Sequence, residues 1–419
     1  MTVKSFFLSS LFPDELTSEI VNLSNGQIAN ANNALQWSIY TGLHHFLPTL
    51  YLLNFPNVGA YPLKYKKISM SGSKIYRDGK EIGESFSFLN IVYVKHYLKF
   101  IKIMKILDEI IKINKENEKI IFFIYDLYPP FLKALSIYKS KYSEIEITLC
   151  LIVPDLHGMT GSKKSLIGSI VLNQDARVIS KSYKEVDAFV FLSKYMADEI
   201  PVGTKPWVVV EGIFNNEFLD QNPKLSSEEV VLFYSGAIDE RNGILNLLQA
   251  FSAIDNPNYR LIVCGAGPLY SEVINYAKKD SRINYLGQIP RAEVLKLQIN
   301  ATLLINPRLP GQDFTKYSFP SKTMEYFASG TPTLMYRLEG VPDEYFNFCF
   351  HLDYSSSDNS VITDLKDKII DVCSMDKIKR WKIGNSAKTF ILTKKNPIAQ
   401  CELIYNLVMN KGYTDEYLT

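Results

Sequence analysis

The chain lacks the patterns that mark most metalloproteins, redox enzymes and integral membrane proteins. Its five cysteines contain no CxxC pair, and their odd number argues against a disulfide framework, so a reducing cytoplasm is the predicted setting. The GxGxxG pattern of dinucleotide-binding enzymes is missing, because Tyr270 stands where a third glycine would follow Gly265 and Gly267. No Asp-x-Asp metal motif occurs, and no run approaches the ~18 apolar residues that span a bilayer.

Net charge is also nearly absent. The formal charge of +2 gives no overall case for nucleic-acid binding, so attraction to a membrane or polyanion must come from a local patch. The chain does have length and hydrophobic content, since 419 residues that are 47% hydrophobic predict two well-packed domains. Residues 1–12 form a short apolar run without a small-residue cleavage site, which favours a buried first strand over a signal peptide.

Apolar runs and helical patterns alternate along the chain, which predicts α/β domains built on parallel sheets. The predicted strands are 3–8, 50–54, 120–125, 145–153, 188–192, 208–211, 230–234, 260–264, 283–286, 302–305 and 333–335. The longer predicted helices of the N-terminal half are 27–43, 94–115, 131–141 and 167–184. Asp78-Gly79 has the sequence of a tight hairpin turn. A polar stretch over 215–229 resembles a linker, so we expect domains over residues 1–222 and 223–392.

The stretch from Lys316 to Pro332 predicts a loop followed by a short helix. Ser318 or Phe319 can cap this helix, Pro320 suits its first turn, and Gly330 can end it.

Three polar residues of that helix, Ser321, Lys322 and Glu325, would share one face near its free N–H groups. A helix N-terminus with a lysine attracts phosphate, and a carboxylate one turn further can accept hydrogen bonds from sugar hydroxyls. An amphipathic helix with a surface Lys–Glu pair explains these residues equally well.

Loops with glycine follow several predicted strands and would meet at one edge of the sheet, where α/β folds bind ligands. The loop from Gly236 to Gly243 contains Arg241 and suits a diphosphate, and the Gly265-x-Gly267 loop lets the backbone approach a phosphate. Gly26 precedes the first long helix and could supply further N–H groups. A simple turn is the alternative interpretation at each place.

Asp155 and His157 follow the predicted strand 145–153 and should lie at the corresponding edge of the N-terminal sheet. Either side chain could orient or deprotonate a reacting hydroxyl. The alternatives are a helix cap or loop acid for Asp155 and a loop histidine for His157.

The helix near 94–115 is rich in both lysine and apolar residues. Its lysines are Lys95, Lys99, Lys102, Lys105 and Lys112, and Lys64, Lys66 and Lys67 lie nearby in the sequence. Such a helix can rest on anionic lipid headgroups, although an ordinary covered helix with a solvated lysine face has the same pattern.

Taken in order, five motifs resemble those of retaining glycosyltransferases of family four, particularly bacterial enzymes that build capsule, exopolysaccharide or O-antigen chains. The motifs are Tyr-Ser-Gly-x-x-x-Glu-Arg-x-Gly243, Cys-Gly-Ala-Gly-Pro268, Leu-Gly-Gln-Ile-Pro290, Ser-Phe-Pro-Ser-Lys-Thr-Met-Glu-Tyr326 and Tyr336-Arg-Leu-Glu-Gly340-Val-Pro342. The likeness is strong over residues 208–372 and looser in the N-terminal half.

The resemblance implies the GT-B architecture, with two Rossmann-like domains facing across a cleft and a helix in 393–419 that packs back on the N-terminal domain. It implies a UDP-, GDP- or dTDP-linked sugar donor and a saccharide acceptor, polyprenyl-diphosphate-linked in such pathways, at the inner face of the membrane. No metal or further cofactor is required. The implied donor contacts are Gly236 and Arg241 near the diphosphate, Gly265 and Gly267 around its pocket, Ser321 and Lys322 on phosphate, and Glu325 on the ribose.

Several positions depart from the family pattern. Ala237 and Asn242 stand where many relatives carry an arginine and a lysine, which leaves Arg241 and Lys322 as the expected cations. Tyr317 replaces the first acid of the paired-glutamate motif, and Pro154 replaces a histidine. Two alternatives therefore stay open: a catalytically silent GT-B partner subunit of another transferase, and a nucleotide-sugar epimerase.

Overall fold

The computed structural model describes residues 3–25, 28–92, 94–113, 118–156, 166–215, 229–312, 314–354 and 358–409. The chain divides into two compact units, one formed by Met1–Ile213 with Pro397–Thr419 and the other by Phe214–Asn396. The division after Ile213 comes earlier in the chain than the boundary expected after residue 222. The division after Asn396 comes later than the boundary expected after residue 392. Most of the expected linker lies outside the described residues.

The N-terminal unit is an α/β unit. Its strands are β1 (Val3–Ser9), β2 (Tyr51–Asn54), β3 (Ser69–Met70), β4 (Ser73–Arg77), β5 (Lys80–Ser85), β6 (Phe88–Leu89), β7 (Lys119–Tyr125), β8 (Ile147–Val153), β9 (Ala188–Phe191) and β10 (Trp207–Val209). Its helices are α1 (Asp14–Leu23), α2 (Asn30–Phe46), α3 (Val94–Ile113), α4 (Pro129–Lys141), α5 (Leu166–Ser182), α6 (Met196–Glu199) and α13 (Pro397–Met409).

The main sheet of this unit has the order β10-β9-β8-β7-β1-β2-β5-β4, and its strands are parallel except for the pair β4 and β5. Every residue of the central strand β7 is buried, as expected for a parallel strand covered on both faces. The predicted hairpin turn is confirmed, because Asp78 and Gly79 join β4 to β5 with φ angles of 51° and 75°.

The last helix, α13, packs on α2 of the same unit. The buried side chains Cys401 and Ile404 of α13 share a core with Ile39 and Leu43 of α2. The approach is close, because a Cβ added at Gly42 would lie 2.1 Å from the backbone oxygen of Pro397. Helix α13 therefore belongs to the first unit.

The C-terminal unit is a second α/β unit. Its strands are β11 (Val230–Ser235), β12 (Tyr259–Cys264), β13 (Ile283–Gly287), β14 (Leu303–Asn306), β15 (Thr333–Tyr336) and β16 (Phe350–Leu352). Its helices are α7 (Ile244–Ser252), α8 (Tyr270–Lys279), α9 (Arg291–Asn300), α10 (Ser321–Ser329), α11 (Asp358–Ser374) and α12 (Lys377–Lys394). The sheet order is β13-β12-β11-β14-β15-β16, and all of its strand pairs are parallel.

Helix α10 is held by contacts at two places. The hydroxyl of Tyr326, within the helix, accepts a hydrogen bond of 2.8 Å from the backbone N–H of Ser235, at the end of β11. Gly330 ends the helix with a φ of 77°, as predicted, and α12 crosses there at Gly384. A Cβ added at Gly384 would lie 2.1 Å from the backbone oxygen of Gly330.

We therefore expect Gly384→Ala to destabilise the C-terminal unit by about 1–3 kcal/mol, because the two helices must separate to admit the methyl group. Urea unfolding measures this loss. Ser386→Ala, at an exposed position of the same helix, is the control and should change stability by less than about 0.5 kcal/mol. Equal stability of the two variants would contradict the close helix contact.

Candidate functional site

The strand order of the C-terminal sheet reverses at its central strand, β11. Strand β11 lies between β12 and β14, so the chain leaves β11 in one direction and later returns on its other side. Ligands of open α/β sheets bind at such a switch point, beyond the carboxyl ends of the strands. The loops that begin at Gly236, Gly265 and Pro307 all follow these three strands.

The loops after β11 and β12 touch through their backbones. Gly265 has a φ of 139°, and a Cβ added there would lie 1.8 Å from the backbone oxygen of Gly236. A Cβ at Gly267 would lie 2.3 Å from the oxygen of Ile238, whose N–H donates to the oxygen of Ala266 at 3.0 Å. These glycines are therefore required by the contact between the loops, which holds both loops at one edge of the sheet.

Arg241 lies on the first of these loops with its side chain 71% exposed. The carboxylate of Asp239 accepts from the N–H and the side-chain amide of Asn242 and lies 3.5 Å from the Arg241 guanidinium. The loop is thus held by Asp239, while most of the Arg241 side chain stays in solvent. An exposed ion pair of this length contributes little to stability, so Arg241 is available to an anion.

A second arginine, which the sequence analysis missed, lies close to the first. Arg308 follows β14 and is only 9% exposed, and its guanidinium lies 4.6 Å from the ring of Phe314. The Arg241 guanidinium lies 5.9 Å from the same ring. Burial, and then the charge of Arg241, lower the pKa of Arg308 to about 10. Two cations thus lie near the ring of Phe314, and the charge of Arg241 disfavours the charged form of the buried Arg308.

The guanidinium of Arg308 is only partly satisfied. One terminal nitrogen donates to Ser318 Oγ at 2.8 Å, while Nε is buried and makes no hydrogen bond within the described residues. The bond to Ser318 also corrects the predicted helix cap. Ser318 is extended and binds Arg308, so α10 begins at Ser321 with Pro320 at the N-cap and no side-chain cap. The first N–H groups of α10 are therefore free of a side-chain cap.

Lys322 and Glu325 form the polar face predicted for α10. Lys322 Nζ lies 2.9 Å from one Glu325 oxygen, and a guanidinium nitrogen of Arg291, at the start of α9, lies 3.3 Å from the other. Glu325 is 17% exposed and Lys322 is 40% exposed. The Lys322 charge also lowers the pKa of Cys264, which burial raises to about 11, so the ammonium lies near the end of β12. Ser321 is exposed at the first helical position.

Tyr317, at the place of a family acid, is 6% exposed. Its ring stacks under the ammonium of Lys316 at 4.6 Å. This position therefore holds a packed aromatic side chain and no carboxylate.

The candidate residues of the N-terminal unit are described in part. Asp155 follows β8, its side chain is exposed, and desolvation by the surrounding protein raises its pKa. Gly26 and His157 lie outside the described residues. Within the described part of the chain, no group of three or more His, Cys, Asp and Glu side chains is placed to hold a metal ion. The same part contains no helix long and apolar enough to cross a bilayer.

Comparisons with known proteins agree with this arrangement. Residues 215–390 match the profile of the family "Glycosyl transferases group 1". No curated protein sequence matches the chain.

Solved structures resemble the whole chain at low sequence identity. Sucrose-phosphate synthase from Thermosynechococcus elongatus is 12% identical with a TM-score of 0.64, over 96% of this chain and 98% of that protein. The lipopolysaccharide outer core galactosyltransferase WaaB is 13% identical with a TM-score of 0.62, over 98% of this chain and 100% of its own. HepE from Anabaena in complex with UDP is 12% identical with a TM-score of 0.57, over 97% and 99%. The chain thus has the GT-B fold, and its second unit is a glycosyl transferases group 1 domain.

Proposed function

We propose that this protein is a retaining hexosyltransferase that moves a sugar from a nucleotide-sugar donor to a saccharide acceptor in bacterial surface-polysaccharide synthesis. The observation that carries the proposal is the charge at the carboxyl edge of the C-terminal sheet. Arg241, Arg308 and Lys322 lie there with the uncapped start of α10, an arrangement suited to a diphosphate. The structure of HepE in complex with UDP has the same fold, which supports a nucleoside diphosphate as ligand.

These cations would act on the leaving group. As the bond between the anomeric carbon and the diphosphate oxygen breaks, its electron pair passes to the diphosphate, and the acceptor oxygen bonds to the same carbon. In the retaining reaction the departing diphosphate takes the acceptor proton on the face that it leaves. Fixed positive charge at the diphosphate stabilises this transition state without any nucleophile from the enzyme. Gly236, Gly265 and Gly267 would line the diphosphate pocket.

Glu325 would accept hydrogen bonds from the ribose hydroxyls. Its replacement should therefore weaken the binding of ligands that contain a ribose but not the binding of pyrophosphate. Glu325→Ala should weaken nucleoside diphosphate binding roughly 10- to 100-fold, since bonds to a charged group contribute about 1.5–3 kcal/mol. Inorganic pyrophosphate has no ribose, and the substitution releases Lys322 from its 2.9 Å ion pair, so pyrophosphate should bind at least as tightly as to wild type.

Calorimetric titration of both ligands measures this contrast. Glu272→Ala, at a partly exposed glutamate of α8, is the matched control and should leave both affinities unchanged. Equal weakening of both ligands would contradict the ribose assignment, because it would mean that Glu325 only maintains the phosphate site.

Transfer itself is tested by incubating the protein with UDP-, GDP- and dTDP-sugars, together with polyprenyl-diphosphate-linked saccharides. Mass spectrometry should detect a nucleoside diphosphate and an acceptor enlarged by one sugar, with the anomeric configuration of the donor retained. A donor that is isomerised without any acceptor would instead support an epimerase. A protein that binds donors yet yields no product with any acceptor would support a catalytically silent partner subunit. Ala237 and Asn242, in place of the family's arginine and lysine, and Tyr317, in place of its acid, favour this alternative.

A membrane surface would present a lipid-linked acceptor, and α3 offers a surface for it. The sequence analysis counted Lys99 among the lysines of this helix that could contact lipid. That expectation is wrong for Lys99, which is 5% exposed and faces the core. The exposed stripe consists instead of Val94, Tyr97 and Ile101, with exposed fractions of 44%, 64% and 36%, next to Lys105.

We expect the combined substitutions Tyr97→Glu and Ile101→Glu to reduce binding to vesicles that contain phosphatidylglycerol several-fold, because they remove apolar insertion and add repulsion. Cosedimentation measures the bound fraction. Ile370→Glu, on an exposed position of α11 in the other unit, should bind like wild type. Undiminished binding of the α3 variant would exclude this surface.

A further inference from the structure

The charged groups of the candidate site follow one another along the carboxyl edge of the C-terminal sheet, whose order is β13-β12-β11-β14-β15-β16. Arg291, the partner of Glu325, starts the helix after β13, and the Lys322 ammonium lies near the end of β12. Arg241 follows β11, and Arg308 follows β14. The ribose contact therefore lies at the β13 side and the diphosphate cations at β11 and β14. A nucleotide sugar that continues in this direction reaches the end of β15 with its sugar.

The segment after β15 carries an exposed carboxylate, that of Glu339. Thr315 Oγ1 lies 3.1 Å from Oε2 of Glu339 and 2.7 Å from the backbone oxygen of Gln312. One hydroxyl proton thus serves two acceptors, and the nearer acceptor is the backbone oxygen. The carboxylate therefore keeps most of its capacity to accept hydrogen bonds from a ligand.

Close packing holds this segment against the loop after β14. A Cβ added at Gly340 would lie 2.4 Å from the backbone oxygen of Thr315 and 2.6 Å from that of Ser318. The Ser318 hydroxyl accepts a bond of 2.8 Å from Arg308. Phe314, which precedes Thr315 in the chain, has its ring 4.6 Å from the same guanidinium. One short, packed turn therefore joins the carboxylate to a cation of the diphosphate site.

The charge of Glu339 is not neutralised by an ion pair within the part of the chain that the structure describes. Arg337 is close in sequence, but its guanidinium lies 3.4 Å from Asp353 and 3.8 Å from Asp343. The site thus has positive charge where the diphosphate would bind and negative charge beyond it. A carboxylate in that place accepts hydrogen bonds from sugar hydroxyls and repels a sugar that is itself an anion.

We propose that Glu339 is a specificity-determining residue for the transferred sugar. Its carboxylate accepts hydrogen bonds from the hydroxyls of a neutral sugar and excludes sugars that carry a carboxylate, such as hexuronates. This assignment rests on the proposed function, because it takes the ligand to be a nucleotide sugar. It adds the chemical class of the sugar and the direction in which the donor lies along the sheet edge.

The test compares nucleotide sugars that differ only at C6 of the sugar, which is CH2OH in one and a carboxylate in the other. The probes are UDP-glucose with UDP-glucuronate, GDP-mannose with GDP-mannuronate, and dTDP-glucose with dTDP-glucuronate, each titrated by calorimetry beside its free nucleoside diphosphate. Wild type should bind the neutral member of one pair at least about tenfold more tightly than the uronate. Glu339→Gln should reduce this ratio to about threefold or less, because it weakens the neutral sugar and removes the repulsion of the uronate.

Glu229→Gln is the matched control, since Glu229 lies at the opposite, amino end of β11 with its side chain 54% exposed. The control should keep the wild-type ratio. Both variants should bind the free nucleoside diphosphate with wild-type affinity, which also shows that they are folded.

Two outcomes would overturn the role of Glu339: equal binding of the neutral and uronate donors by wild type, and a wild-type ratio in Glu339→Gln. Failure of the proposed function has a different signature. In that case neither a nucleoside diphosphate nor a nucleotide sugar would bind to any of the three proteins.

Discussion

Arg308→Met is expected to weaken nucleoside diphosphate binding roughly 10- to 100-fold while making the ligand-free protein more stable. Loss of charge-assisted bonds to phosphate accounts for about 1.5–3 kcal/mol of the binding loss. The stability gain arises because Arg308 is only 9% exposed and burial, with the nearby Arg241 charge, lowers its pKa to about 10. Replacing such a buried cation by an apolar side chain of similar length should add about 1 kcal/mol or more.

The two effects are measured by calorimetric titration and by urea unfolding. Arg260→Met is the matched control, because Arg260 lies near the opposite, amino end of β12 and pairs with Glu229 at 3.3 Å. The control should leave the affinity unchanged. A variant at position 308 that is both destabilised and unimpaired in binding would show that Arg308 is a packing residue.

Asp126→Asn is expected to stabilise the protein by about 2–3 kcal/mol at pH 7 and to have almost no effect near pH 4. Burial and Asp155 raise the pKa of Asp126 to about 6 from an ordinary value of 3.8. Between these pH values the folded chain binds more protons than the unfolded chain, so the wild type gains stability as the pH falls through this window. At pH 7 the folded state must keep the buried carboxyl of Asp126 ionised, which costs about 2–3 kcal/mol, and the asparagine removes this cost.

Urea unfolding of wild type and variant between pH 4 and pH 8 measures the difference, and Asp198→Asn should show no such trend. Asp126 directly follows β7. The charged and titratable groups near it are Lys99, Tyr125, Tyr128 and Asp155, and all four are present in both proteins. The pKa of His96 is lowered to about 4 by burial and the neighbouring lysines. A variant less stable than wild type at pH 7 would show that Asp126 stabilises the fold and would contradict the cost expected from its raised pKa.

The sequence predicted most of the parallel strands because buried strands are continuous apolar runs. Strands β7 and β11 to β15 lie within one residue of their predicted bounds, whereas β16 (Phe350–Leu352) was not predicted. The antiparallel strands β4 and β5 were missed, although the Asp78-Gly79 turn between them was recognised. Strand β4 is largely exposed, and charged residues interrupt both strands, so neither has the apolar run by which the others were found.

The candidate site could be located but not completed from the sequence. Glycine loops after strands and the polar face of α10 have local patterns, so they were predicted. Arg308 has none, because its burial depends on Phe314 and Ser318 folding over it. Lys99 did have a signal: it lies four residues before the buried Ile103, on the core-facing side of α3. Lys99 was grouped with the other lysines of α3, although its position in the helix places it on the buried side.

The central claim is that the carboxyl edge of the C-terminal sheet binds a nucleoside diphosphate. Calorimetric titration of UDP, GDP and dTDP into the wild-type protein tests it most directly, with Lys322→Ala titrated in parallel. We predict that one of the three nucleotides binds at a single site per chain and that Lys322→Ala weakens this binding at least about tenfold. Absence of binding by all three nucleotides at millimolar concentration, or binding that Lys322→Ala leaves unchanged, would contradict the claim.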